Sequence, residues 1–286
     1  MRDRIDPLIA ERAPWLYNTP GIKPVRGLMH LGLGYDKTVA IGNRLKDRDS
    51  RYLMRFLGKM LAKHVAATGF NNLPAQGPAL IVANHPTGIG DGIILHHLIA
   101  RKRSDAYIFT NADVLRVMPQ MSDIICPVEW RLDKRTHAKT RETMGFVRKA
   151  TDEGRLGVIF PSGRLAKRRG LSLHERPWMA SAAMLAKKFD LPVIPVHLSA
   201  RNSSLFYLFD KLHPTLRDVT LFHETLNKDR QPFVVRMGEP ISAAALPRSS
   251  EEGIAMLRRA TLALGETDQH PGVSIVKATR ILSLKW

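Results

Sequence analysis

The sequence predicts an α/β fold, a sheet covered by helices, and three features carry that prediction. From residue 69 onward, short apolar runs that read as strands alternate with helical stretches. Two of those runs, at 79–83 and 156–160, end in turns containing Pro and Gly. An apolar content of 44% is enough to build a core around them.

Taken in order, 79–83 (ALIVA) is a strand, followed by a glycine-containing turn and an apolar stretch over 92–100. Residues 106–109 and 124–128 are further strands, and 136–153 is a helix ending before Gly154. Strands are expected at 156–160 and 193–198. Between them lies a helix from about 175 to 189, with Ser172 and Glu175 as its capping box. Residues 219–222 and 233–237 extend the sheet, and Ser249 with Glu252 caps a last helix running to about 264. Residues 1–50 read as short helices and loops, and no repeat or low-complexity tract occurs. Over 51–67, Arg51, Arg55, Lys59 and Lys63 fall on one side of a helix and Leu53, Phe56, Leu57, Met60 and Leu61 on the other. Such a helix either packs on its own domain or lies in a membrane interface.

The 286 residues carry 44 Lys plus Arg against 26 Asp plus Glu, a formal charge of +18. That excess favours polyanionic partners: nucleic acid, an anionic bilayer or a phosphorylated substrate. A basic nucleic-acid-binding protein is the competing class. Only 7% of residues are aromatic, however, and neither a zinc-finger spacing nor an RNA-recognition signature is present. Cys126 is the single cysteine, so no intrachain disulfide can form, and its apolar surroundings make it a core residue. Arg2, Asp3, Arg4 and Asp6 interrupt any signal-peptide pattern, and no run of about 18 apolar residues suggests a membrane span.

Chemistry concentrates at two strand ends. In Ala83-Asn84-His85-Pro86-Thr87-Gly88-Ile89-Gly90-Asp91-Gly92, His85 stands where a strand exits, the position at which open α/β sheets bind ligands. A His beside a carboxylate is a general base suited to deprotonating a hydroxyl, with Asp91 holding the ring's tautomer. In Val158-Ile159-Phe160-Pro161-Ser162-Gly163-Arg164, backbone amides near Gly163 and the Arg164 guanidinium form a candidate phosphate site. No Gly-x-Ser-x-Gly elbow offers an acyl-enzyme nucleophile, and no metal-ligand set is recognisable.

Together these segments resemble the glycerophospholipid acyltransferases, the lysophosphatidate acyltransferase family. Gly69-Phe70-Asn71-Asn72-Leu73-Pro74 leading to Ala83-Asn84-His85-Pro86 is similar to the entry of that family's first motif. Phe160-Pro161-Ser162-Gly163 is similar to its third, and Leu191-Pro192-Val193-Ile194-Pro195-Val196 to its fourth. The resemblance spans residues 69–240. It implies a central mixed sheet flanked by helices, with His85 and Asp91 as the catalytic dyad. Arg131, Ser162, Gly163 and Arg164 are the implied substrate contacts, Arg135 competing with Arg131 for the second-motif role.

It also implies transfer of a fatty acyl group from acyl-CoA or acyl carrier protein to a lysolipid hydroxyl. No cofactor and no metal take part, and the cytoplasmic face of an anionic membrane is the setting. Residues 1–68 then form a helical, membrane-associating segment and 69–286 the acyltransferase domain. Two departures stand out. Five residues separate His85 from Asp91 where the commonest pattern has four, and Ser162 stands where the third motif usually has Glu. Both point to a lyso-aminolipid, such as lyso-ornithine lipid, as the alternative acceptor to lysophosphatidate.

Overall fold

Parallel strands joined through helices account for most of the chain. The computed structural model describes residues 1–129, 136–170, 172–212, 214–265 and 273–274. Ten strands occur in it: β1 (Val65–Thr68), β2 (Ala79–Ala83), β3 (Tyr107–Asn111), β4 (Ile125–Val128), β5 (Leu156–Ile159), β6 (Lys167–Arg169), β7 (Ser172–His174), β8 (Val193–Ser199), β9 (Phe233–Met237) and β10 (Val273–Ser274). Seven of them form a mixed sheet in the order β1-β9-β8-β2-β5-β3-β4, with β8 and β9 as its one antiparallel pair. The other three make a small antiparallel sheet, β10-β7-β6.

The central strand β2 is buried along its whole length, as expected for a parallel strand with helices on both faces. Its side chains alternate: Ala79, Ile81 and Ala83 join one core cluster, Leu80 and Val82 the other. On the first face lie α5 (Ser50–Leu61) and α6 (Ile89–Ile99). The second is covered by α8 (His137–Asp152), α9 (Ser181–Lys188) and α12 (Ser250–Ala263). Thr136 caps α8 by accepting the Lys139 N–H, and Ser249 caps α12 by accepting that of Glu252.

Residues 1–50 fold into four helices: α1 (Arg2–Arg12), α2 (Trp15–Asn18), α3 (Lys23–Gly32) and α4 (Tyr35–Leu45). Ile5, Ile9, Leu16, Tyr35 and Val39 give α1, α2 and α4 a small core of their own. The ion pairs Arg12–Asp113 and Arg116–Glu11 join α1 to α7 (Asp113–Val117).

The structure corrects four expectations. The helix expected over 51–67 stops at Leu61, because Val65–Thr68 pairs in parallel with β9, opposite Phe233–Arg236. A division after residue 68 therefore cuts β1 from its own sheet. Nor is the apolar side of α5 open to a membrane. Leu53, Met54, Gly58 and Leu61 are buried, and the helix sits so close on α6 that a Cβ at Gly58 would lie 2.4 Å from His97 Nδ1. Residues 219–222, expected as a strand, lie inside α11 (Pro214–Leu226), which packs on α10 (Ser204–Leu212). Their β-branched and aromatic composition yields to that tertiary contact. Finally, the helix expected from 175 begins only at Ser181, since Ser172 is tied into β7 and Glu175 is used elsewhere.

Two core histidines set an acid limit on stability. Burial lowers His96, with His97 adding to the effect, and burial followed by the charge of Arg236 lowers His197, each to about 4. Both are neutral in folded and unfolded chains above pH 6.5. Between 6.5 and 4 only the unfolded chain takes up the protons, so stability falls as pH drops through that window, by roughly 3 kcal/mol per His. Urea midpoints measured from pH 7.5 to 4.5 should decline accordingly, and His197→Gln should make the slope shallower. An unchanged slope in the variant would mean that His197 is not the titrating group.

Candidate active site

At the end of β2 a side chain replaces the next backbone rung. Asn84 Nδ2 donates to the Leu198 carbonyl at 2.9 Å, and Asn84 Oδ1 accepts the Leu198 N–H at 2.7 Å. β8 is thus satisfied without β2 having to continue, and the chain leaves the sheet at His85. Pro86, which has no N–H to donate, follows.

Asp91 is the third residue of α6 and is fully buried. A buried carboxylate needs donors, and it has them. Oδ2 accepts the N–H groups of Thr87 at 2.8 Å and Gly88 at 3.0 Å, while Oδ1 accepts the Thr87 hydroxyl. His85 Nδ1 lies 3.0 Å from the same Oδ2. That is ion-pair distance, although the direction is not that of a linear hydrogen bond. The His85 ring stacks on Phe160 at 4.4 Å and keeps 18% of its side chain exposed. Gly88 makes the five-residue spacing workable: its φ of +99° is a conformation that other residues rarely adopt, and it turns the chain into α6. The Thr87 and Gly88 amides of this turn hold Asp91.

A second carboxylate went unrecognised in the sequence. Glu175, read there as a helix cap, accepts the backbone N–H of His85 at 3.1 Å and the Trp178 indole N–H at 3.0 Å. Burial pushes its carboxyl up, opposed by the hydrogen bonds from the His85 backbone and the Trp178 indole. Ser162, where the resembling family usually has Glu, is buried beside it and donates to the Arg164 carbonyl at 2.8 Å. Glu175, 13 residues later in the chain, puts a carboxylate beside Ser162. The one signal for it was an acidic residue flanked by His174 and Arg176.

The remaining expected contacts fare differently. Gly163, with φ +58°, closes its turn by donating to the Phe160 carbonyl at 2.9 Å, so its amide does not present itself to a phosphate. Arg164 is exposed. Arg131 and Arg135 lie outside the described residues. Cys126 is buried, and burial pushes its thiol well above the ordinary range, which fits a core role. Among the described residues no His, Cys, Asp or Glu cluster is arranged to hold a metal ion.

Behind the dyad lies a buried polar network that composition did not suggest. Lys228 packs its stem on Gly90 and donates through Nζ to Asn202 Oδ1 at 2.7 Å, the Arg201 carbonyl at 3.1 Å and Gln231 Oε1 at 3.1 Å. Burial pulls its ammonium down to about 8, against the attraction of Glu224 and Asp91. Asn202 Nδ2 in turn reaches the Thr87 carbonyl at 3.4 Å.

Residues 64–199 match the family model described as Acyltransferase, a span that holds β1 to β8, the dyad and Glu175. By that match the chain carries an acyltransferase domain. The chain is 23% identical over 206 residues to the lyso-glycine lipid O-acyltransferase of Phocaeicola vulgatus, covering 69% of this chain and 72% of that protein. It is 22% identical over 205 residues to the protein of the same name from Bacteroides thetaiotaomicron, covering 70% and 74%. Among solved structures it is similar to the 1-acyl-sn-glycerophosphate acyltransferase PlsC of Thermotoga maritima, at 14% identity and a TM-score of 0.48, over 93% of this chain and 97% of that one.

If Gly88 carries the turn, Gly88→Ala is strained by its φ, and the new Cβ would lie 3.1 Å from Leu165 Cδ2. The expected cost is about 1–3 kcal/mol, read as a lower urea midpoint, together with a lower kcat as Asp91 shifts. A variant with wild-type stability and kcat would contradict this account of the spacing.

Proposed function

We propose that this acyltransferase moves a fatty acyl group from a thioester carrier, acyl-CoA or acyl carrier protein, onto a lysolipid hydroxyl. The observation that supports it most directly is the 3.0 Å approach of His85 to the buried Asp91 at the strand ends. Asp91 keeps a proton on Nδ1, leaving Nε2 to act as base. Nε2 takes the hydroxyl proton as the lysolipid oxygen attacks the thioester carbonyl. The resulting imidazolium rests beside the Asp91 carboxylate. When the tetrahedral intermediate collapses, the C–S bond breaks, and the departing thiolate recovers the proton from His85. No enzyme nucleophile is needed.

For the acceptor, an amino-acid-headed lysolipid is favoured over lysophosphatidate. Ser162 in place of a glutamate and the inward-bonded Gly163 amide argue against an ordinary phosphate cradle, and two relatives are named for lyso-glycine lipid.

The proposed setting is the cytoplasmic face of an anionic membrane, where each nearby cation contributes about 1 kcal/mol of attraction. Among the described residues no helix is long and apolar enough to cross a bilayer, and the apolar side of α5 is covered. The exposed apolar side belongs to α10. Its Leu205, Leu208 and Leu212 are 38, 52 and 63% exposed at helical spacing, while Phe206 and Tyr207 anchor the other side.

With a long-chain acyl-CoA and a panel of lysolipids, wild type should release free thiol and form diacyl product with one acceptor. His85→Ala should lower kcat/KM by at least about a thousandfold, and Asp91→Asn by about a hundred- to ten-thousandfold. Turnover by His85→Ala at the wild-type rate would remove His85 from the chemistry. The triple change of Leu205, Leu208 and Leu212 to Ser should abolish cosedimentation with anionic vesicles. Undiminished sedimentation would place the membrane contact elsewhere.

A further inference from the structure

On the α12 side of the sheet, joined to the His85 backbone through Glu175, is a cavity of about 590 Å³ that the proposed reaction does not yet use. Lys167 and Arg169 of β6 line it, with Arg176 from the return of the β6–β7 hairpin and Arg258 from α12. Among the described residues none of these four cations forms an ion pair. Arg258 is the most informative of them. Its Nε is buried without a hydrogen-bond partner among the described residues, and one Nη reaches the Glu175 carbonyl at 3.4 Å. The Nε of Arg176 donates to the Leu165 carbonyl at 3.0 Å. Glu175 and Glu251 are the two acids in the wall, and the Glu175 carboxylate is turned to the His85 N–H and the Trp178 indole. Four cations facing two acids, one of which is occupied, leave the cavity with an excess of positive charge.

We propose that this cavity is an anion-binding subsite that receives a carboxylate or phosphate group of one of the two substrates. A buried N–H such as Arg258 Nε is left unpartnered at a cost, and an anion that accepts from it removes that cost. The location ties the subsite to the reaction, since Glu175 is both in its wall and bonded to the backbone of His85. Two sources carry such a group: the headgroup of the lysolipid and the phosphates of the acyl carrier. The subsite rests on the acyl-transfer reading, and the test below separates their failures.

Arg258→Gln is compared with wild type, and the exposed pair Lys167→Gln/Arg169→Gln serves in case loss of Arg258 weakens folding. KM for acyl-CoA and KM for the lysolipid are measured separately, and binding of free coenzyme A and of N-acetylglycine is measured by calorimetry, which needs no turnover. The expected result is a KM about tenfold higher for one substrate only, with kcat within about twofold and a matching loss of binding by the corresponding probe. A rise for acyl-CoA assigns the subsite to the carrier phosphates, and a rise for the lysolipid assigns it to the headgroup. Turnover with both KM values and both probe affinities unchanged overturns the subsite and leaves the acyl-transfer reading standing. Probe binding that is lost in the variants of a protein without turnover does the reverse.

Discussion

A carboxylate with no access to water organises the centre of this protein. Asp91 is fully buried, and its oxygens take two backbone N–H groups, a hydroxyl and the approach of the His85 ring. Such a group is costly to bury unless its partners are in place beforehand. The turn from Pro86 to Gly88 has to adopt one conformation to provide them, which is why a positive φ falls at Gly88. That turn requires β2 to end at Ala83, and Asn84 ends it by bonding to Leu198 on β8. The start of α6, the exit of β2 and the aim of His85 are therefore consequences of one constraint.

Around that centre the sheet separates two environments. On the α5 and α6 face, helices pack closely enough for Gly58 to be required, and Asp91 is held there at the start of α6. The other face meets α9 and α12, with Trp178 and Glu175 at its upper edge. Glu175 connects the two, because its carboxylate crosses to the His85 backbone while its main chain touches Arg258. The segment between Ser162 and Trp178 is thus more than a loop. It leaves β5, forms the β6–β7 hairpin and returns a carboxylate to a point the motif itself leaves without one.

The first motif was legible because its parts are close in sequence. Apolar 79–83, then His, Pro and two glycines, then Asp within seven residues of the His, describe a strand end and a helix start without reference to the rest of the chain. Glu175 was not legible, since Ser172 and Glu175 have the spacing of a capping box and nothing local distinguishes a cap from a carboxylate used 90 residues away. Lys228, Asn202 and Glu224 were hidden for the same reason: each is ordinary in its own segment, and only their convergence makes a network.

By itself the sequence determined the α/β class, the positions of most of its central strands and the His85–Asp91 pairing, because periodicity and turn chemistry act over a few residues. It also determined an excess of cations, though not where they gather. Tertiary structure alone decided which apolar faces stay exposed. The stripe on α5 is covered by α6, whereas the leucines of α10 are not. It likewise decided that Val65–Thr68 joins the sheet rather than the helix before it, and that Glu175 serves the site. The physical reason is common to all three. Burial, strand pairing and ion pairing between distant segments depend on positions in space, and hydrophobic patterning along a helix is the same whether a neighbour or a membrane covers it.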